Sequence, residues 1–184
     1  LTAAHCVDDE DVSFFQMNVG EYDLKDGAEN AIDIAKVFIH PLYDADNIDN
    51  DIAIVELVSS VDAPAVEIAE PGVTNDYAVE MGQATVAGWG GRTGYGANGG
   101  ETSDFPDILH QVDLRLMTNQ QCNDILDYDI PLVNDNMICA AIPEGGKGSC
   151  QGDSGGPLVI NTGAGVQQVG IVSWGIGCAA AGYP

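Results

Sequence analysis

The decapeptide Gly148-Ser149-Cys150-Gln151-Gly152-Asp153-Ser154-Gly155-Gly156-Pro157 is the most informative stretch of this 184-residue chain. Glycines on both sides of Ser154 allow a tight turn that exposes the serine hydroxyl group. In such a turn the N–H groups of Gly152 and Ser154 can point at one developing oxyanion. Ser154 is therefore a candidate nucleophile, and the location of its partners in the chain decides between two classes of fold.

The letters around Ser154 also satisfy G-x-S-x-G, the strand–turn–helix motif of α/β hydrolases. On that fold the acid and the histidine follow the serine in the chain. Residues 155–184 contain no Asp, Glu, Lys, Arg or His, and Pro157 stands where the helix would begin. Unless both partners follow Pro184, the base and its acid must precede Ser154, which argues against an α/β fold.

Among the three histidines of the chain, His5 is the best candidate for a general base. His40 precedes a proline, and His110 lies in a strand pattern. His5 stands in Leu1-Thr2-Ala3-Ala4-His5-Cys6, where small residues leave room around an imidazole ring. A lone histidine is more often structural than catalytic, but its combination with Ser154 favours a catalytic role.

Asp51 is the candidate for the acid that orients this imidazole. It directly precedes the apolar run Ile52-Ala53-Ile54-Val55. An ionised carboxylate beside a buried strand is costly unless it is paired or hydrogen-bonded, and an imidazole N–H would meet that need. On spacing alone, an aspartate that caps a turn remains an alternative.

The composition excludes several classes of protein. The chain has 29 Asp and Glu against 5 Lys and Arg, which gives a net charge of −24. Such a chain repels nucleic-acid phosphates and anionic membrane surfaces, and no apolar run is long enough for a membrane span. With 45% hydrophobic residues it is not a disordered chain. An acidic cation-binding or matrix protein would show repeated acidic motifs, and none occurs.

Short apolar runs with a period of two predict an all-β barrel or sandwich. One helix is expected at 118–126, with Thr118 as N-cap and Gln121 three residues later. A change of composition near residues 64–75 indicates a linker between two halves. The predicted strands are Val12–Val19, Ile32–Ile39, Ile52–Leu57, Ala84–Ala87, Leu109–Leu116, Pro157–Ile160 and Val169–Trp174.

Two further motifs fail on their context. Residues 94–99 match the letters of a dinucleotide-binding fingerprint but lead into no helix, so we expect a loop there. Residues 44–49 resemble the start of a calcium loop. However, Ile48 replaces a ligand, and Val55 stands where a glutamate is required.

Taken together, these residues resemble the trypsin/chymotrypsin family of serine proteases, and the loops resemble its invertebrate digestive members. The resemblance rests on six motifs that occur in the family's order from one end of the chain to the other. They are Leu1-Thr2-Ala3-Ala4-His5-Cys6, Asp49-Asn50-Asp51-Ile52-Ala53, Val86-Ala87-Gly88-Trp89-Gly90, Asn136-Met137-Ile138-Cys139-Ala140, the decapeptide at 148–157, and Ser173-Trp174-Gly175.

The resemblance implies two antiparallel six-stranded β-barrels of the chymotrypsin type, truncated at both ends. Residues 1–72 would form an incomplete first barrel that carries His5 and Asp51. Residues 73–184 would form an incomplete second barrel that carries Ser154 and the specificity pocket. We therefore expect the chain to be a fragment or a processed chain.

The implied activity is that of a secreted serine endopeptidase, made as a zymogen and acting in digestion through an acyl-enzyme. Ser154 would be the nucleophile, His5 the base, Asp51 the orienting acid, and the N–H groups of Gly152 and Ser154 the oxyanion hole. Asp153 would pair with the amino terminus that zymogen cleavage creates. The alternative is a non-catalytic homologue that acts as a binding or regulatory module.

The resemblance leaves the substrate side-chain preference open. Trypsins carry an aspartate at the base of the pocket, six residues before the nucleophile, where this chain has Gly148. A second position on the pocket floor would follow Pro184, so basic, aromatic and small aliphatic preferences all remain. The expected substrate-binding residues are Gly148, Ser149, Gln151, Ser173, Trp174, Gly175 and Gly177.

The remaining expectations concern stabilising groups and partners. The family implies Cys122–Cys139 and Cys150–Cys178 disulfides, with Cys6 bridged to a cysteine before Leu1, and disulfides indicate secretion. No cofactor is required. Glu21 and Glu29 are candidate ligands for a structural calcium ion, in a loop one residue shorter than in calcium-binding members. We expect a monomer that binds peptide substrates and protease inhibitors, but neither nucleic acid nor membranes.

Overall fold

The computed structural model describes residues 1–9, 11–27, 30–70, 72–93 and 104–184. Most of its regular structure is β, which confirms the predicted class. The strands are β1 (Gln16–Asn18), β2 (Ala31–Ile39), β3 (Ala53–Leu57), β4 (Glu67–Ile68), β5 (Gln83–Gly88), β6 (His110–Met117), β7 (Cys139–Ala141), β8 (Pro157–Asn161) and β9 (Val166–Ile171). The α-helices are α1 (Val73–Val79) and α2 (Asn119–Leu126).

The strands form two sheets. Strands β1, β2 and β3 make a three-stranded antiparallel sheet in that order. The other six strands make a second sheet in the order β4-β9-β8-β5-β6-β7, in which β4 and β9 are parallel and all other neighbours are antiparallel. In the described ranges no pairing closes either sheet, so the two barrels stay a prediction.

The predicted division of the chain at residue 72 also stays a prediction. Strand β4 precedes that residue but pairs with β9, with Glu67 opposite Gln167 and Ile68 opposite Gln168. The change from the first sheet to the second thus falls between β3 and β4. The connection expected at 64–75 contains β4 and the start of α1, which the composition did not indicate.

The core of the second sheet follows from alternation along its strands. Alternate residues of β5, β6 and β8 point to one side, as the pleat of a strand requires. Their side chains form one buried cluster with Ala78 of α1. The strand residues in this cluster are Ala84, Val86, Leu114, Leu116, Leu158 and Ile160.

Helix α2 begins where the sequence predicts. Thr118 Oγ1 accepts the Gln121 N–H at 3.2 Å, and Gln121 Oε1 accepts the Thr118 N–H at 2.9 Å, which completes a capping box. Cys122 and Leu126, four residues apart, lie on one face and pack against Met117 in a second buried cluster. This arrangement fixes the helix against the end of β6.

The strand predicted at Val12–Val19 is wrong in its first half. A short 3₁₀ helix occupies Val12–Phe14, and β1 spans only Gln16–Asn18. The reason is local, because Asp11 Oδ1 accepts the Ser13 N–H at 2.9 Å and caps the turn. Residues 94–99, where we expected a loop, lie outside the described residues. No helix in the described part of the chain is long and apolar enough to cross a membrane.

We predict that Leu116→Ala lowers the free energy of unfolding by about 2–5 kcal/mol. Leu116 is fully buried in β6, so its truncation leaves a cavity in the second sheet. The matched control is Leu42→Ala, because 69% of Leu42 is exposed and its truncation should change stability by about 0.5 kcal/mol or less. Urea unfolding with the disulfides intact measures both. Equal losses in the two variants would contradict the assignment of this core.

Candidate active site

His5 lies in a 3₁₀ turn that small residues hold against β3. The turn spans Ala4–Cys6, and both Ala3 and Ala4 are fully buried. Just before it, the Thr2 N–H donates to Ala53 O at 3.0 Å, and the Ala53 N–H donates to Thr2 O at 2.8 Å. Because the backbone is packed so closely, the imidazole must point outward, where 32% of its surface is exposed.

Asp51 directly contacts His5. Asp51 Oδ2 lies 2.7 Å from His5 Nδ1, and Oδ1 accepts the His5 backbone N–H at 2.8 Å. Ser173 Oγ, in the segment that follows β9, donates to Oδ2 at 2.5 Å. With Nδ1 as the donor to a carboxylate, a neutral imidazole keeps Nε2 as its free acceptor.

The surroundings of Asp51 favour its ionised form. Its side chain is only 3% exposed, and burial alone would raise the pKa of the carboxyl. The hydrogen bonds from Ser173 and His5 outweigh burial and hold the pKa of Asp51 below its ordinary value. From the sequence, Ser173 is expected only to bind substrate, and no local pattern indicates its contact with Asp51.

Ser154 lies in a turn that rests on the His5 segment. Gly155 N–H donates to Val172 O at 2.8 Å. A Cβ on Gly155 would collide with Thr2 Oγ1 and approach Cys6 Sγ to 3.5 Å. Only a glycine at position 155 allows the two segments to approach so closely. Its φ of +79° is also a conformation that glycine adopts without strain. The structure therefore brings together two turns: residues 150–156, which we call the serine turn, and Ala4–Cys6, which we call the histidine turn.

Ser154 Oγ and His5 Nε2, the candidate nucleophile and base, form no hydrogen bond in the described structure. Instead, Cys6 Sγ lies 3.6 Å from His5 Nε2. Burial, followed by the charge of Asp51, raises the pKa of the Cys6 thiol. As a free cysteine, Cys6 can donate weakly from its thiol to the imidazole.

The N–H groups expected to form the oxyanion hole are free of protein acceptors in the described ranges. The turn's other bonds run elsewhere, since Asp153 N–H donates to Cys150 O and Gly156 N–H to Asp153 O. Gly152 has a φ of +93°, and a Cβ there would lie 3.2 Å from Gly90 Cα. The arrangement leaves the Gly152 and Ser154 donors available to an anion.

The Asp153 carboxylate binds backbone N–H groups of the serine turn and of a neighbouring segment. Oδ1 accepts the Gly90 N–H and Oδ2 the Cys150 N–H, both at 2.9 Å. A Cβ on Gly90 would lie 2.5 Å from Oδ2. The carboxylate also lines a cavity of about 400 Å³ together with Lys147 and Gly148.

The residues expected in the substrate pocket are divided between two cavities. Ser149, Ser173 and Trp174 line one of about 530 Å³ that also reaches Asp51. Gly148 instead lines the cavity beside Asp153, and a Cβ there would lie 3.2 Å from Ala179 N. The other three expected residues, Gln151, Gly175 and Gly177, line neither cavity.

Disulfides join the segments that carry these residues. Cys150 pairs with Cys178, which ties the serine turn to the chain after Trp174. Cys122 pairs with Cys139, which ties α2 to β7. These are the two pairings that the resemblance implies.

The candidate calcium loop is described only in part. Glu21 Oε1 accepts the N–H groups of Tyr22 at 2.9 Å and Asp23 at 3.0 Å, and Oε2 accepts Asn18 Nδ2 at 2.6 Å. Glu29 lies outside the described residues. Across the described ranges, no group of three or more His, Cys, Asp or Glu side chains is spaced to hold a metal ion.

We predict that Ser173→Ala raises the pKa of the Asp51 carboxyl, because the variant loses the 2.5 Å hydrogen bond. An aspartate with a lowered pKa stabilises the fold above the unfolded-state pKa of about 3.9, and that stabilisation is lost as pH falls through the folded-state value. In the variant this stabilisation should therefore be smaller, and its loss should be complete at a higher pH. Carboxyl ¹³C NMR titration measures the shift, with exposed Ser59→Ala as control. An unchanged Asp51 titration would contradict the role of Ser173.

Comparison with known proteins identifies the family of the chain. The family model described as Trypsin matches residues 1–184. Trypsin-1 of Astacus astacus is 40% identical over 191 aligned residues, which cover all of this chain and 76% of that protein. Trypsin-3 of Salmo salar is 37% identical over 188 residues, which cover all of this chain and 71% of that protein. Anionic trypsin of Canis lupus familiaris is 40% identical over 189 residues, covering 100% and 68%. The chain therefore belongs to the trypsin family of serine-type endopeptidases.

Proposed function

We propose that this chain is the catalytic part of a secreted endopeptidase that cleaves peptide bonds through an acyl-enzyme on Ser154. The observation that carries the proposal is the 2.7 Å contact between His5 Nδ1 and the nearly buried Asp51. Beside this pair lies a serine turn whose Gly152 and Ser154 N–H groups donate to no acceptor in the described ranges. A buried acid, an exposed imidazole and two free donors together suit acyl transfer.

In the proposed reaction Ser154 Oγ attacks the peptide carbonyl carbon while His5 Nε2 takes the hydroxyl proton. The tetrahedral intermediate places its negative oxygen on the N–H groups of Gly152 and Ser154. It collapses by breaking the C–N bond, and the imidazolium gives its proton to the leaving amine. A water molecule then attacks the ester with His5 again as base, which releases the acid and restores the Ser154 hydroxyl.

Asp51 keeps the imidazole in the reactive tautomer. Its carboxylate accepts the Nδ1 proton and stabilises the imidazolium that forms during the attack. Nε2 must then come within hydrogen-bonding distance of Ser154 Oγ, and in sites without substrate such contacts are often long. A disulfide at Cys6, which the resemblance implies, would leave no thiol proton for Nε2.

Asp153 is proposed to control activation. As the family resemblance implies, the Asp153 carboxylate would give up its bonds to backbone N–H groups. It would instead bind the ammonium group of the new amino terminus that zymogen cleavage creates. The present donors come from Gly90 and Cys150, the latter within the serine turn. Rearranging them would change the conformation of the turn that carries the oxyanion donors. We infer from this that activity requires proteolytic activation.

The remaining proposals follow from the family. Two disulfides fit secretion, and a digestive role fits an extracellular protease of this type. Protease inhibitors are expected partners, and a monomer is the expected state. A calcium ion bound by Glu21 and Glu29 remains a candidate for stabilisation and takes no part in the chemistry.

We predict that an organophosphonate labels the activated enzyme once, on Ser154, because the probe needs an activated serine and an oxyanion hole. Ser154→Ala should abolish labelling. His5→Ala should slow it by about 10²–10⁴-fold, since the general base is lost. The measurement is mass spectrometry of the labelled protein over time.

The matched control for the base is His110→Ala, because His110 Nδ1 instead contacts Ile108 O at 2.7 Å. This variant should label at the wild-type rate. Label on another residue would overturn the assignment of Ser154. Complete absence of labelling after activation would favour a non-catalytic homologue.

We predict that Gly148→Asp raises cleavage after Lys and Arg relative to the wild-type enzyme. Burying a basic substrate side chain without a counter-charge costs several kcal/mol of binding free energy. Burying an apolar substrate side chain instead contributes about 1.5–3 kcal/mol. The new Cβ would lie 3.2 Å from Ala179 N, so the backbone there must shift slightly. Peptides that differ at the residue before the cut measure the change in kcat/KM.

Gly148→Ala is the control for this experiment, because it introduces the same Cβ without the charge. It should not favour Lys and Arg. If the two variants showed the same preference, Gly148 would not lie at the base of the pocket.

A further inference from the structure

We propose that Asp49 is a positioning residue for the reaction, because its carboxylate ties the turn that carries Asp51 to the segment between α2 and β7. The inference rests on the proposed function of His5 and Asp51, and deepens it. Asp49 makes no hydrogen bond to His5 in the described structure. It would act through the backbone, two residues before the acid that holds the imidazole.

Two side-chain amides hold the Asp49 carboxylate. Asn134 Nδ2 donates to Oδ1 at 3.1 Å, and Asn136 Nδ2 donates to Oδ1 at 3.2 Å and lies 3.4 Å from Oδ2. These partners lie 85 and 87 residues later in the chain. The amide of Asn134, followed by that of Asn136, holds the pKa of Asp49 below its ordinary value. The contact is therefore made by an ionised carboxylate at neutral pH.

Hydrogen bonds within the turn restrain the backbone around Asp49. A displacement of Asp49 should therefore also displace Asp51, two residues later. Asp44 N–H donates to Asp49 O at 3.0 Å, and Asp49 N–H donates to Asp44 O at 3.1 Å. Asn50 Nδ2 donates to Leu42 O at 3.1 Å. These hydrogen bonds leave the backbone between Asp49 and Asp51 little conformational freedom.

The backbone beside Asp51 has an unfavourable conformation that needs outside support. Ile48 and Asn50 both have a φ of +51°, in a left-handed region that asparagine tolerates but that a β-branched residue such as Ile48 rarely adopts. Ile52 N–H donates to Asn50 O at 2.8 Å, so Asp51 lies at the centre of a three-residue turn. Such a conformation persists only where surrounding contacts fix it, and the amides on Asp49 are contacts of this kind.

The segment that holds Asp49 is itself fixed. Asn119 Nδ2, in the first turn of α2, donates to Asn134 O at 2.5 Å and to Met137 O at 3.2 Å. Asn136 N–H donates to Asn134 Oδ1 at 2.8 Å. The Cys122–Cys139 disulfide closes the segment between α2 and β7. Asp49 is therefore tied to a rigid part of the molecule.

Asp51 thus has two connections to the second half of the chain. Ser173 orients its carboxylate directly, and Asp49 fixes its backbone. Removing the Asp49 connection should leave substrate binding intact and should lower the fraction of molecules in which His5 is correctly oriented. Small displacements of a reacting group are enough to reduce the rate strongly.

The test compares Asp49→Ala with Asp46→Ala in the activated full-length enzyme. Asp46 is a matched control, because it lies on the same turn and carries the same charge, and its carboxylate makes no hydrogen bond in the described ranges. We measure kcat and KM per active site titrated with the phosphonate, so that misfolded molecules do not count. We also record the ¹H resonance of His5 Nδ1–H, which a hydrogen bond to Asp51 shifts downfield.

Asp49→Ala should lower kcat by about 10–100-fold with KM unchanged, and should weaken or broaden the Nδ1–H resonance. Asp46→Ala should change neither. The double variant Asp49→Asn/Asn136→Asp exchanges donor and acceptor and should recover most of the activity. Wild-type kcat and an unchanged resonance in Asp49→Ala would overturn the proposal.

The resonance separates this inference from the proposed function. If the wild-type enzyme showed no turnover but Asp49→Ala still lost the Nδ1–H resonance, Asp49 would position His5 in a protein that is not a peptidase. If turnover were normal and both substitutions lowered kcat equally, the loss would come from charge, and the positioning role would fail.

Discussion

A carboxylate whose side chain is 3% exposed is tolerated only if hydrogen bonds replace the water that it has lost, and much of this site is arranged around that need of Asp51. Three donors meet it: the backbone and ring N–H groups of His5 and the hydroxyl of Ser173. Each comes from a different stretch of chain than Asp51 itself. Satisfying one buried charge therefore brings together the turn before β3, the histidine turn and the segment after β9.

Other carboxylates near the site are also stabilised by hydrogen bonds from N–H groups, because the chain has few basic side chains to pair with its acidic ones. The chain has only 5 Lys and Arg residues. Within the described ranges their ion pairs are surface contacts, such as those of Lys25 with Asp107 and of Arg92 with Asp104. The carboxylates near the site instead accept N–H groups. Asp153 accepts the N–H groups of Gly90, 63 residues away, and of Cys150, three residues away. Asp49 accepts side-chain amides from residues 85 and 87 positions later. The bonds to Asp153 are 2.9 Å long and partly buried, so added salt should affect them less than it affects the surface pairs.

The sequence predicts the fold well where one physical signal dominates. Alternating apolar residues predicted most of the strands, and Thr118 with Gln121 predicted the start of α2. It fails where a polar side chain decides the backbone: Asp11 caps a 3₁₀ turn inside a predicted strand. The short strand β4 carries no alternation to detect, and its pairing with β9 is a tertiary contact.

The site shows the same division. The residue types around His5, Asp51 and Ser154 suggested their chemistry, because each stands in a local pattern that needs it. The contact of Ser173 with Asp51 spans 122 residues, and the amides on Asp49 are about as remote. No local pattern encodes such partners, since they depend on how the two sheets face each other. The position of Nε2 beside Cys6 likewise depends on the whole arrangement of the turns.

Close approach of the turns also explains the composition of this region. The serine turn can rest on the histidine turn only because Gly155 has no side chain where Thr2 stands. The residues beneath His5 are Ala3, Ala4 and Ala53, all almost fully buried. Small side chains remove little apolar surface from water, so hydrophobic burial contributes less here than around Leu116. Hydrogen bonds between turns must then fix the positions of the candidate catalytic groups, and on our proposal the loss of one remote bond changes the site without unfolding the sheets.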